Sequence, residues 1–292
     1  DSIGTSDAWI VRRTGIHQRR WLAADESVAD LATSACAEAI KQAGVSAGEL
    51  THVVVATITA DRVTPGVGVE VADRLGAEQP AAFDVHAACS GFLYALDHAC
   101  ALIESDRAEH VLVCGAEALS RITDHTDRGT AILLGDGAGA VVVSRVADAV
   151  RPCFSLGSDG SQIELLYADR FDRLLRMHGT AIYEYAIRAM TAQTRLVLER
   201  CQLDVTDLDL FIAHQANARI LKSVAGALGL PEDRLFVNLD KVANTSAASI
   251  PLAMSHALEQ DRIAPGALLG MAAFGAGVSW GAGVISYRPA GD

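Results

Sequence analysis

Aromatic rings are scarce in this chain: they make up 5% of 292 residues, with three Trp, five Tyr and seven Phe. The apolar half of the composition is mostly Ala, Val, Leu and Ile, which suits tightly packed helices on buried sheets. Positive charge is also in deficit, with 24 Lys and Arg against 36 Asp and Glu, a net charge of −12 and a pI near 5.1. That balance excludes a uniform basic footprint for nucleic acid or an anionic membrane. At 50% apolar the chain is far from a disordered composition. None of the six cysteines (Cys36, Cys89, Cys100, Cys114, Cys153, Cys201) stands in a C-x-x-C. They read as neither a disulfide framework nor a metal site, and a reduced, cytoplasmic setting is expected. No charged-then-apolar leader is read at the start. The one long uncharged stretch, Gly266 to Tyr287, holds six glycines together with Ser279 and Ser286. It reads as two buried strands joined by a tight turn, and no membrane span is expected. A length near 300 residues would bury roughly three quarters of the unfolded surface, in one large domain or two fused ones.

No Pro-rich linker divides the chain, but its two halves echo each other. A helix-like run from Val28 to Ala43 leads through Val45 to Leu50 into Val53-Val54-Val55-Ala56. In the second half, Ile182 to Cys201 leads through Leu203 to Leu208 into Phe211-Ile212-Ala213-His214, 158 residues later. Asp106-Arg107 and Asp261-Arg262 each end a helix-like run ahead of an apolar strand, with an offset of 155. Continuous apolar strands alternating with helices indicate parallel-rich sheets covered on both faces. A duplicated α/β fold is expected, with units at 1–150 and 151–292 and a site where the halves meet.

Three segments combine reactive side chains with small neighbours. Ala87-Ala88-Cys89-Ser90-Gly91-Phe92 lies between the strand-like Ala82 to Val85 and the helix-like Phe92 to Glu104. A Cys at such a turn sits near the positive end of a helix dipole, which predicts a lowered pKa and a nucleophilic thiolate. His214-Gln215-Ala216-Asn217 ends the strand Leu210 to Ala213. Asn244-Thr245-Ser246-Ala247-Ala248-Ser249 is the third, and Asn244 stands 155 residues after Cys89, which reads as its second-half counterpart. Converging on one interface, a thiolate, an imidazole and a carboxamide make a nucleophile and an oxyanion-stabilising pair. Taken singly, each has an ordinary alternative: an inert core Cys, a hydrogen-bonded strand-end His, and an Asn helix cap. Gly135 to Ala140 fits a loose dinucleotide fingerprint, but a strand follows it, so the pyrophosphate mechanism fails. No P-loop is present. The remaining histidines show no spacing that suggests a metal, and no cofactor is expected.

At these residues the chain resembles the β-ketoacyl-acyl-carrier-protein synthase III family of the thiolase superfamily. The resemblance runs from Thr5-Ser6-Asp7-Ala8-Trp9 through Ala88-Cys89-Ser90-Gly91-Phe92, Thr126-Asp127-Arg128-Gly129-Thr130 and Gly135-Asp136-Gly137-Ala138. It closes with His214-Gln215-Ala216-Asn217, Asn244 to Pro251, and Gly275 to Gly281. It implies a thiolase-like, duplicated, five-layered α-β-α-β-α fold with pseudo-twofold halves, in a cytoplasmic homodimer. It further implies that Cys89 attacks an acyl-CoA, with the backbone amides of Cys89 and Ala276 holding the oxyanion. Malonyl on acyl-carrier protein then loses CO2, His214 and Asn244 stabilise the enolate, and the carbanion takes the acyl group to start a fatty-acid or polyketide chain.

By motif position the resemblance assigns Trp9, Arg13, Thr14 and Arg128 to CoA, with Trp9 and Arg128 on opposite faces of the adenine. It gives Arg219, with Lys222 as a further candidate, to the carrier protein. Thr64 matches a position that in some relatives carries a bulky aromatic reaching into the partner's acyl pocket, so a smaller Thr64 leaves room for a longer or branched acyl chain. Two features depart from the family. Its first strand lies well before the Thr-Ser-Asp motif, where only Asp1 to Gly4 stand here, and the stretch between Ser158 and Gly179 is short. Two alternatives stand beside this reading: transfer of the Cys89 acyl group to another nucleophile in secondary metabolism, and a non-catalytic scaffold.

Overall fold

The computed structural model describes residues 3–146 and 150–290. Helix α1 (Asp7–Thr14) starts at Ser6, whose side chain accepts a hydrogen bond from the Trp9 amide, and stops at the left-handed Gly15. Helix α2 (Val28–Ala43) opens on a reciprocal capping box between Ser27 and Asp30. Next come β1 (His52–Ala56), α3 (Val67–Leu75), β2 (Ala81–Val85), a 3-10 turn at Ala88–Ser90, α4 (Gly91–Glu104), β3 (His110–Glu117) and β4 (Gly137–Ser144). The chain continues with β5 (Cys153–Ser158), a small hairpin of β6 (Leu166–Ala168) and β7 (Leu175–Met177), α5 (Gly179–Arg200), β8 (Leu210–Ala213), α6 (Ala218–Leu228) and α7 (Leu239–Val242). A second 3-10 turn, Ser246–Ala248, then leads into α8 (Ser249–Glu259), β9 (Leu268–Gly275) and β10 (Ser279–Ser286).

The strands form two four-stranded sheets in the orders β2-β1-β3-β4 and β5-β10-β9-β8. In each, one parallel pair (β1 with β3, β8 with β9) is followed by an antiparallel partner (β4, β10). The uncharged stretch near the C-terminus is the β9–β10 pair, joined by a turn at Ala276 to Val278, as its glycines and serines indicate. Helices α4 and α8 lie between the sheets. Their Phe92, Leu93, Leu96, Ile250 and Met254 pack with Val54 and Val113 of one sheet and Ile212 and Met271 of the other. Helix α4 is apolar on nearly all sides because both faces meet a sheet. Truncating the fully buried Phe92 would cost on the order of 3–5 kcal/mol. Helices α2 and α3 cover the outer face of the first sheet, and α5 and α6 that of the second. The result is the five-layered α-β-α-β-α arrangement that the resemblance implies.

The internal echo is structural, with one correction. Helices α4 and α8 start 158 residues apart, at Gly91 and Ser249, and β3 and β9 keep that offset. Helix α8 has 11 residues against 14 in α4, so the helix ends are 155 apart. Asn244 is therefore not the counterpart of Cys89; that position is Ala247, the middle residue of the second 3-10 turn. An offset taken at the helix ends was carried across a helix three residues shorter.

Three further differences bear on the expectations. Cys153 and Cys201 form a disulfide between β5 and the C-terminal end of α5, while Cys36, Cys89, Cys100 and Cys114 are free. The cysteines are thus not all thiols. Among the described residues β4 has a strand on one side only, whereas β10 lies between β9 and β5. The short stretch after Ser158 forms a 3-10 turn and the β6–β7 hairpin.

Candidate active site

The two 3-10 turns bring the chemistry together. Each begins with a non-glycine residue at positive φ, Ala88 at 47° and Ser246 at 49°, which swings the chain sharply from strand level into the central helix. Gly275, at the end of β9, makes the first turn possible: a Cβ there would sit 2.7 Å from the Cys89 amide nitrogen. The start of the Ala276 turn thereby approaches the backbone of Cys89.

Burial pushes the Cys89 thiol up to about 12; the neighbouring Glu117 charge adds to the rise, and a Ser246 hydrogen bond opposes it. This reverses the expected thiolate: desolvation outweighs the helix dipole, and the resting sulfur is a neutral thiol. His214 directly follows β8, and its amide donates to the Ala272 carbonyl at 2.8 Å. Its Nδ1 lies 2.7 Å from the Ser249 hydroxyl, and burial pushes its pKa down to about 4, so the ring is neutral near pH 7. Asn244 is clamped by backbone hydrogen bonds to Leu133 and Gly135 on the other half of the molecule, both 2.9 Å. Its Oδ1 accepts from the Ser246 amide at 2.9 Å, which leaves the NH2 group free to donate.

Reasoning from sequence missed three residues. Ser249 orients His214, and Ser246 orients Asn244. Glu117, fully buried at the end of β3, accepts hydrogen bonds from the hydroxyls of Ser246 (3.1 Å), Thr59 (2.6 Å) and Thr57 (3.3 Å) and from the Ile58 amide. Burial pushes it up to about 7. The available signal was a lone acid closing an otherwise apolar strand. Within His214-Gln215-Ala216-Asn217, Gln215 ties β8 to the Phe236 carbonyl and the Asn238 amide. Asn217 is the N-cap of α6.

Cys89, His214 and Asn244 line one cavity of about 710 Å³, together with Phe274. Trp9, Arg13, Thr14, Arg128 and Arg219 line it too, and the exposed arginines place that end at the solvent. The Arg128 guanidinium lies 5.1 Å from the centre of the Trp9 ring, and Arg13 lies 5.6 Å from it. Trp9 and Arg128 therefore face each other within cation–π range, and a planar base entering between them would have to part them. The Thr14 hydroxyl is engaged locally, donating to the Ile10 carbonyl and accepting from the Ile16 amide. Arg219 rests over the Tyr183 ring at 5.6 Å. A second, small cavity of about 50 Å³ adjoins Cys89 between Ile58, Leu119, Leu134, Leu175 and Met177, with Ala276 at its wall. Lys222 is exposed on α6 and Thr64 is exposed on the loop before α3; neither lines either cavity.

Two family profiles match this chain. That of 3-oxoacyl-[acyl-carrier-protein (ACP)] synthase III matches residues 83–160, and that of its C-terminal part matches residues 198–287. The chain is 42% identical over 284 residues to the beta-ketoacyl-[acyl-carrier-protein] synthase III of Staphylococcus epidermidis, covering 97% of this chain and 91% of that protein. It superposes on the crystal structure of 3-oxoacyl-[acyl-carrier-protein] synthase III from Aquifex aeolicus with a TM-score of 0.94 at 43% identity, covering 97% and 92%. The priming beta-ketosynthase of the R1128 polyketide pathway gives a TM-score of 0.94 at 33% identity, covering 99% and 90%.

Proposed function

The chain belongs to the 3-oxoacyl-[acyl-carrier-protein] synthase III family, and from that premise we propose that it is a decarboxylative condensing enzyme, taking its acyl group from acyl-CoA and malonyl from an acyl-carrier protein. One observation carries the reading. The nucleophile Cys89 shares its cavity with two neutral side chains that are each fixed to donate. When the Ser249 hydroxyl donates to Nδ1 of His214, Nε2 carries the proton and donates. Asn244 has its oxygen engaged and its NH2 free.

In the first stage the Cys89 sulfur bonds to the thioester carbon, and the bond from that carbon to the CoA sulfur breaks. The Cys89 and Ala276 amides hold the transient oxyanion, in a geometry that depends on Gly275 lacking a side chain. In the second stage malonyl loses CO2, and its thioester oxygen becomes an enolate oxygen held by His214 and Asn244. The carbanion then bonds to the acyl carbon and Cys89 leaves as thiolate. A preorganised donor of this kind is worth about 3 kcal/mol of barrier. A neutral His214 suits the task, since it donates to the developing charge without giving up its proton.

The solvent end serves CoA through Trp9, Arg13 and Arg128, with the adenine entering between Trp9 and Arg128. Arg219 and Lys222, on one face of α6, meet the acidic carrier protein, which a chain of net charge −12 must attract locally. A homodimer is supported by the edge strand β2, by exposed Phe83 and Val69, and by Val63 at 97% exposure. Thr64 belongs to that surface and would reach the partner's acyl pocket. We place the enzyme in the cytoplasm; no helix among the described residues is long and apolar enough to cross a membrane. The likeness to a polyketide priming synthase leaves two product classes to separate. Rates across an acyl-CoA series with malonyl-carrier protein test both starter and pathway; activity confined to acetyl-CoA would sink the role of the small Thr64.

A further inference from the structure

Cys89 rests as a neutral thiol, so its proton must go somewhere when the sulfur attacks. His214 is a poor acceptor: burial holds its basicity low, and its Nδ1 is already engaged by Ser249. A second route leads away from the sulfur. Ser246 lines the small cavity beside Cys89, and its hydroxyl is 3.1 Å from Oε1 of Glu117. Glu117 is 0% exposed and also accepts from the Thr57 and Thr59 hydroxyls and the Ile58 amide, all from the segment after β1, and its charge is felt at the Cys89 thiol. Among the described residues it forms no ion pair with a Lys, Arg or His.

We propose that Ser246 and Glu117 are the proton path of the nucleophile. As the Cys89 sulfur bonds to carbon, the thiol proton passes to the Ser246 oxygen, and the Ser246 proton passes to Oε1 of Glu117. The carboxyl is then neutral and the sulfur has lost its proton. On collapse of the tetrahedral intermediate the proton returns along the same path to the departing CoA sulfur, so one proton moves from Cys89 to CoA and none is lost. Glu117 is suited to both directions because burial brings it close to neutrality, where acceptor and donor forms coexist. The site thus joins the halves of the molecule: the nucleophile and the carboxylate come from the first, the relay hydroxyl from the second. Glu117 acts through Ser246 and is a positioning and proton-holding residue.

The return of the proton to CoA rests on the condensing reading above, but its uptake from Cys89 does not, and that step can be tested without acyl-CoA or carrier protein. The measurement is the rate of Cys89 alkylation by iodoacetamide, followed by peptide mass spectrometry from pH 5.5 to 9 for the wild type, Glu117→Gln and Ser246→Ala. The wild-type rate is expected to rise through an inflection near pH 7. Both variants are expected to lose that inflection and to react about 100-fold more slowly at pH 7.5. The sign discriminates. If Glu117 were only a nearby negative charge, Gln would ease thiol ionisation and speed alkylation. A Glu117→Gln variant that reacts as fast as the wild type, or faster, overturns the proposal. Should that variant fail to fold, Ser246→Ala decides alone, and a wild-type rate and profile there overturn it equally.

Discussion

The two 3-10 turns are one backbone device used twice. Both start at positive φ, both lead into a central helix, and they lie 158 residues apart. Both also press against the opposite half and need a glycine there. A Cβ on Gly275 would meet the Cys89 amide at 2.7 Å, and one on Gly115 would meet the Ala247 carbonyl at 2.3 Å. Their side chains differ. The first turn offers a thiol at its centre; the second offers the inert Ala247 and works through its flanks, with Asn244 before it, Ser246 at its head and Ser249 after it. Duplication supplied two equivalent platforms, and divergence made one the nucleophile and the other the scaffold that fixes the donors.

The largest effect expected is at the first turn: Cys89→Ala should abolish both acylation and product, a loss of 10³-fold or more on the order seen for nucleophile removal. A variant that still condenses would break the assignment. At the second turn Asn244→Ala should slow condensation by about 100- to 1000-fold, roughly 3 to 4 kcal/mol, while leaving acyl transfer to Cys89 intact. Stopped-time mass spectrometry of the acyl-enzyme separates the two stages. Ser249→Ala, which frees Nδ1 of His214, should cost about tenfold in the condensation stage, the worth of one hydrogen bond.

The glycines sharpen the contrast further. Gly275→Ala and Gly115→Ala should each destabilise by about 1–3 kcal/mol through overpacking, read by denaturant unfolding. Only Gly275→Ala should slow acylation, because its methyl displaces the Cys89 amide; equal acylation losses in both would contradict the division of labour. A separate effect is on acid stability. With His214 at about 4 when folded and near 6.5 when unfolded, the unfolded chain takes up the proton first as pH falls. The stability contributed by neutral His214 is complete above pH 6.5 and is lost progressively down to pH 4, by about 3 kcal/mol in all. Unfolding titrations of His214→Gln should lack that component.

Much of this was legible in the sequence. Apolar runs broken by helix periods marked β1, β3, β8 and β9, and the uncharged glycine-bearing tail marked the β9–β10 pair. Cys89, His214 and Asn244 stood out because reactive side chains sat among small ones. What escaped notice depended on distance in space. Glu117, Ser246 and Ser249 act only through partners on other elements, and a serine beside a functional residue carries no local signal. The state of Cys89 was misjudged because the helix dipole can be read from sequence and desolvation cannot. The equivalence of Asn244 with Cys89 failed for a similar reason: α8 is three residues shorter than α4, which an ungapped offset cannot register.

The division between the turns is tested most directly by incubating Asn244→Ala with acyl-CoA and malonyl-carrier protein and weighing both the Cys89 peptide and the products. The account predicts acyl-Cys89 that accumulates, with no CO2 release and no β-ketoacyl product, where the wild type turns over both. An Asn244→Ala enzyme that condenses at the wild-type rate, or a wild-type chain never acylated at Cys89, would contradict it.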